Sequence, residues 1–216
     1  MNKKIMTLMI VLIVIAVAGI SIYMLSGNKQ ETSNNNNQSN NSAQENESNN
    51  NADNIVTDGS NVLVLYFSMS GNTEAVANFI HDEVGGDLIQ LEIVQTYPED
   101  YDELVDYAQE EQQENARPEL STVIENIDQY DTIFLGYPNW WGDMPMPIYT
   151  FLDTYDLSGK TIVPFITHGG SGLSGTPANI QEEEPNATVT EGLSIYGDNA
   201  RNSKDDVVDW LQGLGF

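Results

Sequence analysis

Apolar residues after residue 60 fall into five short runs that predict β-strands. Most of these runs are continuous, which is typical of strands buried on both faces of a parallel sheet. The second run alternates apolar and polar residues, as expected for a strand at a sheet edge. Because Pro164 in the fourth run has no backbone N–H, the sequence predicts a bulge there. The predicted strands are residues 62–67, 88–94, 132–137, 161–167 and 188–196.

The segments between these strands carry apolar residues at helical spacing. The pattern is clearest in residues 73–84, which the glycine pair at 85–86 terminates. A last helix is predicted after Ser203, because Asp206 three residues later resembles a capping box. The other predicted helices lie at residues 101–108, 123–127 and 148–155. Strands alternating with helices predict an α/β fold: a doubly wound, five-stranded parallel sheet with helices on both faces.

The N-terminal 25 residues have a different pattern. Lys3 and Lys4 precede residues 5–25, an uncharged and mostly apolar run long enough to cross a bilayer as a helix. Since the apolar core of a signal peptide is usually shorter, we expect an uncleaved signal-anchor at residues 1–25. The alternative is a signal peptide cleaved after Ala18, which would release a secreted protein. The lysines predict a cytoplasmic N-terminus, so both interpretations place the domain on the extracytoplasmic side of the cell membrane.

Residues 26–60 are rich in Asn, Ser, Gln and Glu and contain little apolar surface. Such a segment cannot bury enough surface to fold, so it is predicted to be a disordered linker. The folded domain is therefore expected at residues 61–216.

The composition excludes several classes of function. With 33 acidic and 7 basic residues the formal net charge is −26, which disfavours binding to nucleic acid. A bound anion should therefore be held mostly by backbone N–H groups and hydroxyls. The chain has no cysteine and only two histidines, so we predict no disulfide, no thiolate nucleophile and no metal site.

Ligands of open parallel sheets bind beyond the carboxyl ends of the strands, which directs attention to three loops. The loop after the first strand combines hydroxyls, an amide and a glycine before a helix, a pattern that suits a phosphate. It has no lysine after the glycine, so it is not a nucleotide-hydrolysing phosphate loop. The alternative is a plain helix cap. Its residues are Ser68, Met69, Ser70, Gly71, Asn72 and Thr73.

The loop after the third strand holds two adjacent tryptophans between prolines. Two indoles in a loop indicate a flat aromatic ligand, although they could also cap the core or form a partner surface. The candidate residues are Pro138, Asn139, Trp140, Trp141 and Gly142.

The loop after the fourth strand holds four glycines within residues 169–175, which indicates close approach of the backbone to another group. The Gly-x-Ser-x-Gly pattern of hydrolases is not met, so we predict no catalytic residue here. His168 either contacts the ligand or forms only local hydrogen bonds. The candidate residues are His168, Gly169, Gly170, Ser171 and Gly172.

In combination, these three loops resemble those of a bacterial flavodoxin-like family with a paired-tryptophan loop. The segment Tyr66-Phe-Ser-Met-Ser-Gly-Asn-Thr73 resembles the flavodoxin phosphate loop. The resemblance implies FMN as the cofactor, with its phosphate on Ser68, Ser70, Asn72 and Thr73. It also implies that residues 138–142 lie along the isoalloxazine ring and that residues 168–172 close over its other edge.

The function expected from this resemblance is electron transfer through FMN to an unidentified redox partner, either a protein or a small molecule. Two alternatives remain open. One is an FMN-dependent NAD(P)H:quinone or nitro reductase, which would need a space for substrate over the flavin. The other is a domain that has lost FMN and acts as a surface interaction module.

Overall fold

The computed structural model describes residues 61–216. The predicted anchor and linker, residues 1–25 and 26–60, lie outside the described residues. Within the described part of the chain, no helix is long and apolar enough to cross a membrane. The strands of this described part are β1 (Val62–Tyr66), β2 (Asp87–Gln90), β3 (Thr132–Pro138), β4 (Thr161–His168), β5 (Thr188–Val189) and β6 (Leu193–Tyr196). The α-helices of residues 61–216 are α1 (Asn72–Val84), α2 (Tyr101–Glu114), α3 (Met146–Thr154), α4 (Thr176–Glu183) and α5 (Lys204–Leu214).

The strands form one parallel sheet in the order β2-β1-β3-β4-β5, and β6 pairs with β4 beyond β5. This order changes direction between β1 and β3, so the crevice at their carboxyl ends is the expected place for a ligand. The predicted α/β fold with a parallel sheet is confirmed.

Two apolar cores cover the two faces of the sheet, which explains the continuous apolar runs in the sequence. Leu63 and Leu65 of β1 face a core that includes residues of α3 and α4, whereas Val62 and Val64 face a core with α1 and α5. All four side chains are buried. Because successive side chains of a strand point to opposite faces, a strand covered on both sides has no position for polar residues.

The predicted bulge at Pro164 is wrong. Pro164 stays in register with Leu135, and β4 is continuous from end to end. The interruption lies instead in the neighbouring segment, which pairs with β4 as β5 and again as β6. Gly192 lies in the gap, close to the Pro164 carbonyl oxygen. Because Pro164 has no N–H, a strand paired with it would lack one hydrogen bond at that position. The single strand predicted at residues 188–196 is instead divided into β5 and β6, on either side of this position.

Three further predictions differ from the structure. Strand β2 ends at Gln90, because the chain then turns to an isolated antiparallel bridge between Ile93 and Leu120. The helix predicted at 123–127 is absent, and a short 3-10 turn, Ile127–Gln129, follows instead. Ile124 is buried there without a helix, and its N–H donates to the Tyr155 hydroxyl. Helix α4 was not predicted at all.

The predicted capping box at Ser203 is also wrong. Ser203 precedes α5, but its hydroxyl is buried and donates to the Ala200 carbonyl at 2.9 Å instead of accepting from the helix. Residues Gly197–Asn202 form a 3-10 helix directly before it, and this turn supplies the nearer acceptor.

Candidate cofactor site

The principal candidate site is an open cleft of about 380 Å³ at the carboxyl edge of the sheet. It collects the loops that follow β1, β3, β4 and β6, together with the start of α2. Twelve residues line it: Ser70, Asn72, Tyr101, Pro138, Asn139, Trp140, Thr167, His168, Gly169, Tyr196, Gly197 and Asp198.

Seven of the sixteen residues predicted from sequence line this cleft. They are Ser70, Asn72, Pro138, Asn139, Trp140, His168 and Gly169. The other nine lie in the same three loops or, for Thr73, in the first turn of α1, and do not line it: Ser68, Met69, Gly71, Thr73, Trp141, Gly142, Gly170, Ser171 and Gly172. Sequence reasoning missed the loop after the last strand, which contributes Tyr196, Gly197 and Asp198. The available signal was topological, since that strand also ends at the carboxyl edge of the sheet.

The loop after β1 is held open in front of a helix N-terminus. Gly71 adopts the left-handed conformation, with φ of 78°, and precedes the first residue of α1. The Gly71 N–H donates to the Ser68 hydroxyl at 3.2 Å, and the Asn72 N–H donates to the Ser70 hydroxyl at 3.4 Å. Backbone N–H groups of a first helical turn have no partner within the helix, and such a position suits an anion.

Thr73 and Thr167 form a buried pair behind that loop. Their hydroxyl oxygens are 2.8 Å apart, and Thr73 is 1% exposed. Each hydroxyl has one hydrogen, and this contact uses only one of the two. The pair therefore retains one O–H that can donate to a further acceptor, and Thr167 is the member that lines the cleft.

Arg201, in the 3-10 helix after β6, reaches across the chain to this loop. Its Nη2 atom donates to the Ser70 carbonyl at 3.4 Å. A Cβ atom at Gly71 would lie 3.3 Å from this Nη2 and 3.5 Å from a carboxylate oxygen of Glu74. The sequence prediction that an anion would be held mostly by backbone and hydroxyl groups did not include this guanidinium, which lies beside the same loop. The other three basic side chains of residues 61–216 have partners elsewhere: Arg117 with Asp153, Lys204 with Glu83, and Lys160 with the Tyr130 carbonyl.

At the opposite end of the cleft, the tryptophan loop forms a two-residue turn. Trp140 and Asp143 exchange two backbone hydrogen bonds of 2.9 Å, and the residues between them both have positive φ, 54° for Trp141 and 83° for Gly142. Asn139 fixes this turn, since its side-chain oxygen accepts from the Gly142 N–H at 3.1 Å. Its side-chain amide donates to the Gly172 carbonyl at 3.1 Å, so one residue connects the loops after β3 and β4.

The two tryptophans have different surroundings. Trp140 packs edge-on against Phe67 and Tyr97, with ring centroids 5.5 Å apart in both pairs. Trp141 is 50% exposed, and its indole N–H donates to the Val105 carbonyl of α2 at 3.0 Å. Trp140 therefore joins the core and lines the cleft, whereas Trp141 lies on the surface beside it.

A buried acid supports the aromatic contacts of Trp140. The Tyr97 hydroxyl donates to a carboxylate oxygen of Glu111 at 2.6 Å. Burial raises the pKa of Glu111 above its ordinary value, and the hydrogen bond from Tyr97 opposes this in part. Burial also raises the pKa of Tyr97, so the phenol keeps its proton.

The glycine loop leaves open space beside the cleft. Gly170 and Gly172 have φ of 136° and 62°, and an added Cβ at Gly169, Gly170 or Gly172 would contact nothing within 4 Å. The glycines thus permit the loop conformation and do not serve close packing within the domain.

His168 accepts a hydrogen bond on Nδ1 from the Gly170 N–H at 2.9 Å, and its ring meets Tyr196 edge-on.

The strand order, the anion-attracting loop after β1 and the aromatic cleft define a flavodoxin-like class of protein. A family model described as flavodoxin matches residues 61–214, and the chain belongs to this family. A comparison with curated proteins gave no match.

Three solved structures are similar to this chain. A candidate flavoprotein of Bacteroides eggerthii DSM 20697 has 32% identity and a TM-score of 0.64, and the match covers 73% of this chain and 99% of that one. A candidate flavoprotein of Bacteroides uniformis ATCC 8492 has 29% identity and a TM-score of 0.64, with 71% and 99% covered. A flavoprotein of Lactobacillus acidophilus NCFM in complex with FMN has 26% identity and a TM-score of 0.55, with 66% and 97% covered. The match covers almost the whole length of each of these three proteins.

Proposed function

We propose that residues 61–216 form an FMN-dependent electron-transfer domain, which the N-terminal segment holds on the extracytoplasmic side of the cell membrane. The observation that carries the first part is the cleft itself. One end attracts an anion and the other is lined by aromatic and glycine loops, a combination that suits a cofactor with a phosphate and a flat ring.

FMN is the cofactor expected for this domain. Membership of the flavodoxin family supports it, as does the similarity to a flavoprotein solved in complex with FMN. The residues of the cleft fit the group, because its two ends differ in the way that a phosphate and a ring system require. When bound, the flavin supplies the redox chemistry, since its ring accepts and releases electrons.

The phosphate would be held at the β1 end. The first turn of α1 offers backbone N–H groups, and Ser70 and the pair of Thr73 and Thr167 offer hydroxyls. Arg201 supplies the positive charge that the loop itself lacks, and it offsets the nearby carboxylate of Glu74. This arrangement favours FMN over riboflavin, which has no phosphate.

The ring would be held at the other end. Asn139 keeps the loops after β3 and β4 at a fixed separation, and Trp140 forms one wall supported by Phe67 and Tyr97. The open space at Gly169 and Gly170 leaves room for a planar group against the opposite loop. These residues orient the ring and limit water access, and they contribute no charge of their own.

The proposed location of the domain on the extracytoplasmic side rests on the sequence of residues 1–25, which lie outside the described residues. A basic start followed by a long apolar run is typical of an uncleaved signal-anchor. Cell fractionation with protease added to intact cells tests this proposal, because an exported domain is accessible and a cytoplasmic one is protected.

The cofactor proposal is tested by titrating the FMN-free protein with FMN and riboflavin and measuring the heat of binding. We expect FMN to bind more tightly, and Ser70→Ala to weaken FMN roughly tenfold while leaving riboflavin nearly unchanged. Ser158→Ala, before β4 and at the opposite edge of the sheet, is the matched control. A protein that binds neither ligand would instead support the interaction-module alternative.

A second candidate function is reduction of a small aromatic molecule. It is favoured by one specific observation, an apolar pocket that adjoins the cofactor cleft and shares Tyr101, Asn139 and Trp140 with it. Steady-state turnover with NAD(P)H distinguishes such a reductase from a carrier that serves a protein partner.

A further inference from the structure

A second pocket lies along the C-terminal half of α2. It encloses about 270 Å³. Four of its lining residues follow one another at helical spacing, so they share one face of α2: Tyr107, Glu110, Glu111 and Glu114. The rest of the wall comes mainly from the segment directly after the helix, and its residues are Gln95, Ala116, Arg117 and Pro118.

The electrostatic potential of this pocket is negative. Three of its side chains are carboxylates near the C-terminus of α2, where the helix dipole is negative as well. The last turn of α2 contains no basic residue that could balance them. Arg117 also lines the pocket, but it is paired with Asp153, and its guanidinium lies over the Tyr149 ring. The pocket therefore favours a cation.

Glu111 is the buried member of this acidic group. It is only 7% exposed, and one of its carboxylate oxygens accepts from the Tyr97 hydroxyl at 2.6 Å. A carboxylate can accept about four hydrogen bonds, yet no other donor within residues 61–216 bonds to this side chain. Burial accordingly raises the pKa of Glu111, because its charged form has too few partners. A cation that entered the pocket would offset this cost.

We propose that this pocket binds a short alkyl diammonium ion, with one ammonium group at Glu110 and Glu111 and the other at Glu114. The site goes beyond the function proposed above and does not depend on it.

The spacing of the charges and the volume select this class of ligand. The three carboxylates do not converge on one centre, since residues 61–216 contain no group of acidic or histidine side chains that could hold a metal ion. Glu110 and Glu114 are separated by about one helical turn, roughly 5–6 Å along the axis, which suits two linked cationic groups. The Tyr107 ring on the same face offers an aromatic surface to the chain between them. A volume at the low end for ligand pockets requires this chain to be short.

The test measures binding of 1,4-diaminobutane by calorimetric titration, at low salt, to the FMN-free and the FMN-loaded protein. The matched ligand is 4-aminobutanoate, which has a carboxylate in place of one ammonium group. Two variants are informative: Glu111→Gln keeps an acceptor for Tyr97, and Glu114→Gln removes an exposed carboxylate without disturbing the core. Glu103→Gln is the control, because it removes an equal charge from the first turn of α2, about two turns before Glu110.

We expect saturable binding of 1,4-diaminobutane with a Kd below about 1 mM, equal in the two forms of the protein. Glu111→Gln should weaken it roughly tenfold or more, since a buried charged partner is lost, while FMN affinity stays the same. Glu114→Gln should weaken it roughly two- to fivefold, because that carboxylate is exposed to solvent. Glu103→Gln should bind as the wild type does, and 4-aminobutanoate should bind at least tenfold more weakly than 1,4-diaminobutane.

Four results would overturn the proposal. The first is absence of saturable binding, and the second is unchanged binding by Glu111→Gln. Equal weakening by Glu103→Gln and Glu111→Gln would show attraction to the net charge of the whole domain instead of a site. Binding of 4-aminobutanoate as tight as that of 1,4-diaminobutane would assign the pocket to a zwitterion held by Arg117. Competition between 1,4-diaminobutane and FMN would place the amine in the cofactor cleft and contradict the proposal as well, whereas a protein that fails to bind FMN but binds 1,4-diaminobutane would leave this site standing.

Discussion

The two ends of the cleft are built by different means. At the β1 end, a short polar loop, a helix N-terminus and Arg201 surround a space suited to an anion. At the other end, Asn139 connects two loops, and Trp140 rests on a layer of aromatic rings above a buried acid. The first end depends on charge and hydrogen bonds, and the second depends on packing and loop geometry.

Because of this difference, comparing FMN with riboflavin can separate the binding contribution of the polar end from that of the aromatic end. FMN and riboflavin share the ring and differ in the phosphate. A change at the polar end should alter their affinities unequally, whereas a change at the aromatic end should alter them equally. The predictions below use this contrast, and each could break it.

The largest effect is expected from Arg201→Gln. Loss of a hydrogen bond to a charged phosphate costs about 1.5–3 kcal/mol, so FMN affinity should fall roughly 10- to 150-fold, and riboflavin affinity should stay the same. Arg117→Gln is the matched control, because Arg117 pairs with Asp153, whereas Arg201 contacts the Ser70 carbonyl of the loop after β1. Calorimetric titration measures both ligands.

Equal weakening of FMN and riboflavin by Arg201→Gln would contradict this assignment. It would show that Arg201 supports the loop through the Ser70 carbonyl and does not reach the phosphate.

A smaller and equal effect on both ligands is expected from Asn139→Ala. The change removes the hydrogen bonds to Gly172 and Gly142, and each is worth about 1 kcal/mol. FMN and riboflavin should both weaken by roughly tenfold, with a lower melting temperature. Asn139→Asp keeps the acceptor for Gly142 but loses the donor to Gly172, so its loss should be intermediate in calorimetry. A selective effect on FMN would break the proposed division between the two ends.

The sequence predicted the central strands well because each is buried on both faces and therefore apolar throughout. It also located three of the four loops of the cleft, since glycines and prolines at strand ends are visible as local signals. Arg201 was not found, because its distance to Ser70 depends on the path of the chain after β6. The division of the last strand into β5 and β6 was not predicted either, because Pro164, its cause, lies on the neighbouring strand β4.

The acid beneath the aromatic end predicts a pH dependence of stability. Burial raises the pKa of Glu111 above 4.5, its value in the unfolded chain, so the folded protein holds this proton more tightly. Its contribution to the free energy of unfolding should therefore decrease as pH rises from about 4.5 through the raised pKa. Glu111→Gln removes this loss of stability at high pH, and the glutamine side-chain oxygen can still accept the hydrogen bond from the Tyr97 hydroxyl. We expect its melting temperature to exceed that of the wild type by a few degrees at pH 8 but not at pH 4.

Glu110→Gln serves as the control for that measurement, because Glu110 is the exposed neighbour on the same helix. Riboflavin affinity should be unchanged in both variants. If Glu111→Gln melts below the wild type at pH 8, the charged carboxylate stabilises the aromatic layer and the sign of this argument is wrong.

The smallest effect concerns the negative charge that reduction adds at the aromatic end. A carboxylate 10 Å away, at an effective dielectric constant near 40, opposes one added negative charge by about 0.8 kcal/mol, or roughly 35 mV for one electron. Several such carboxylates should make the second electron harder to add than the first, so that reduction proceeds in two separate steps. At about 1 M salt the Debye length falls to about 3 Å, and the second potential should rise by tens of millivolts relative to low salt. Spectroelectrochemical titration of the FMN-loaded protein at both salt concentrations measures this difference. A single two-electron step without salt dependence would favour the reductase function over the one-electron carrier.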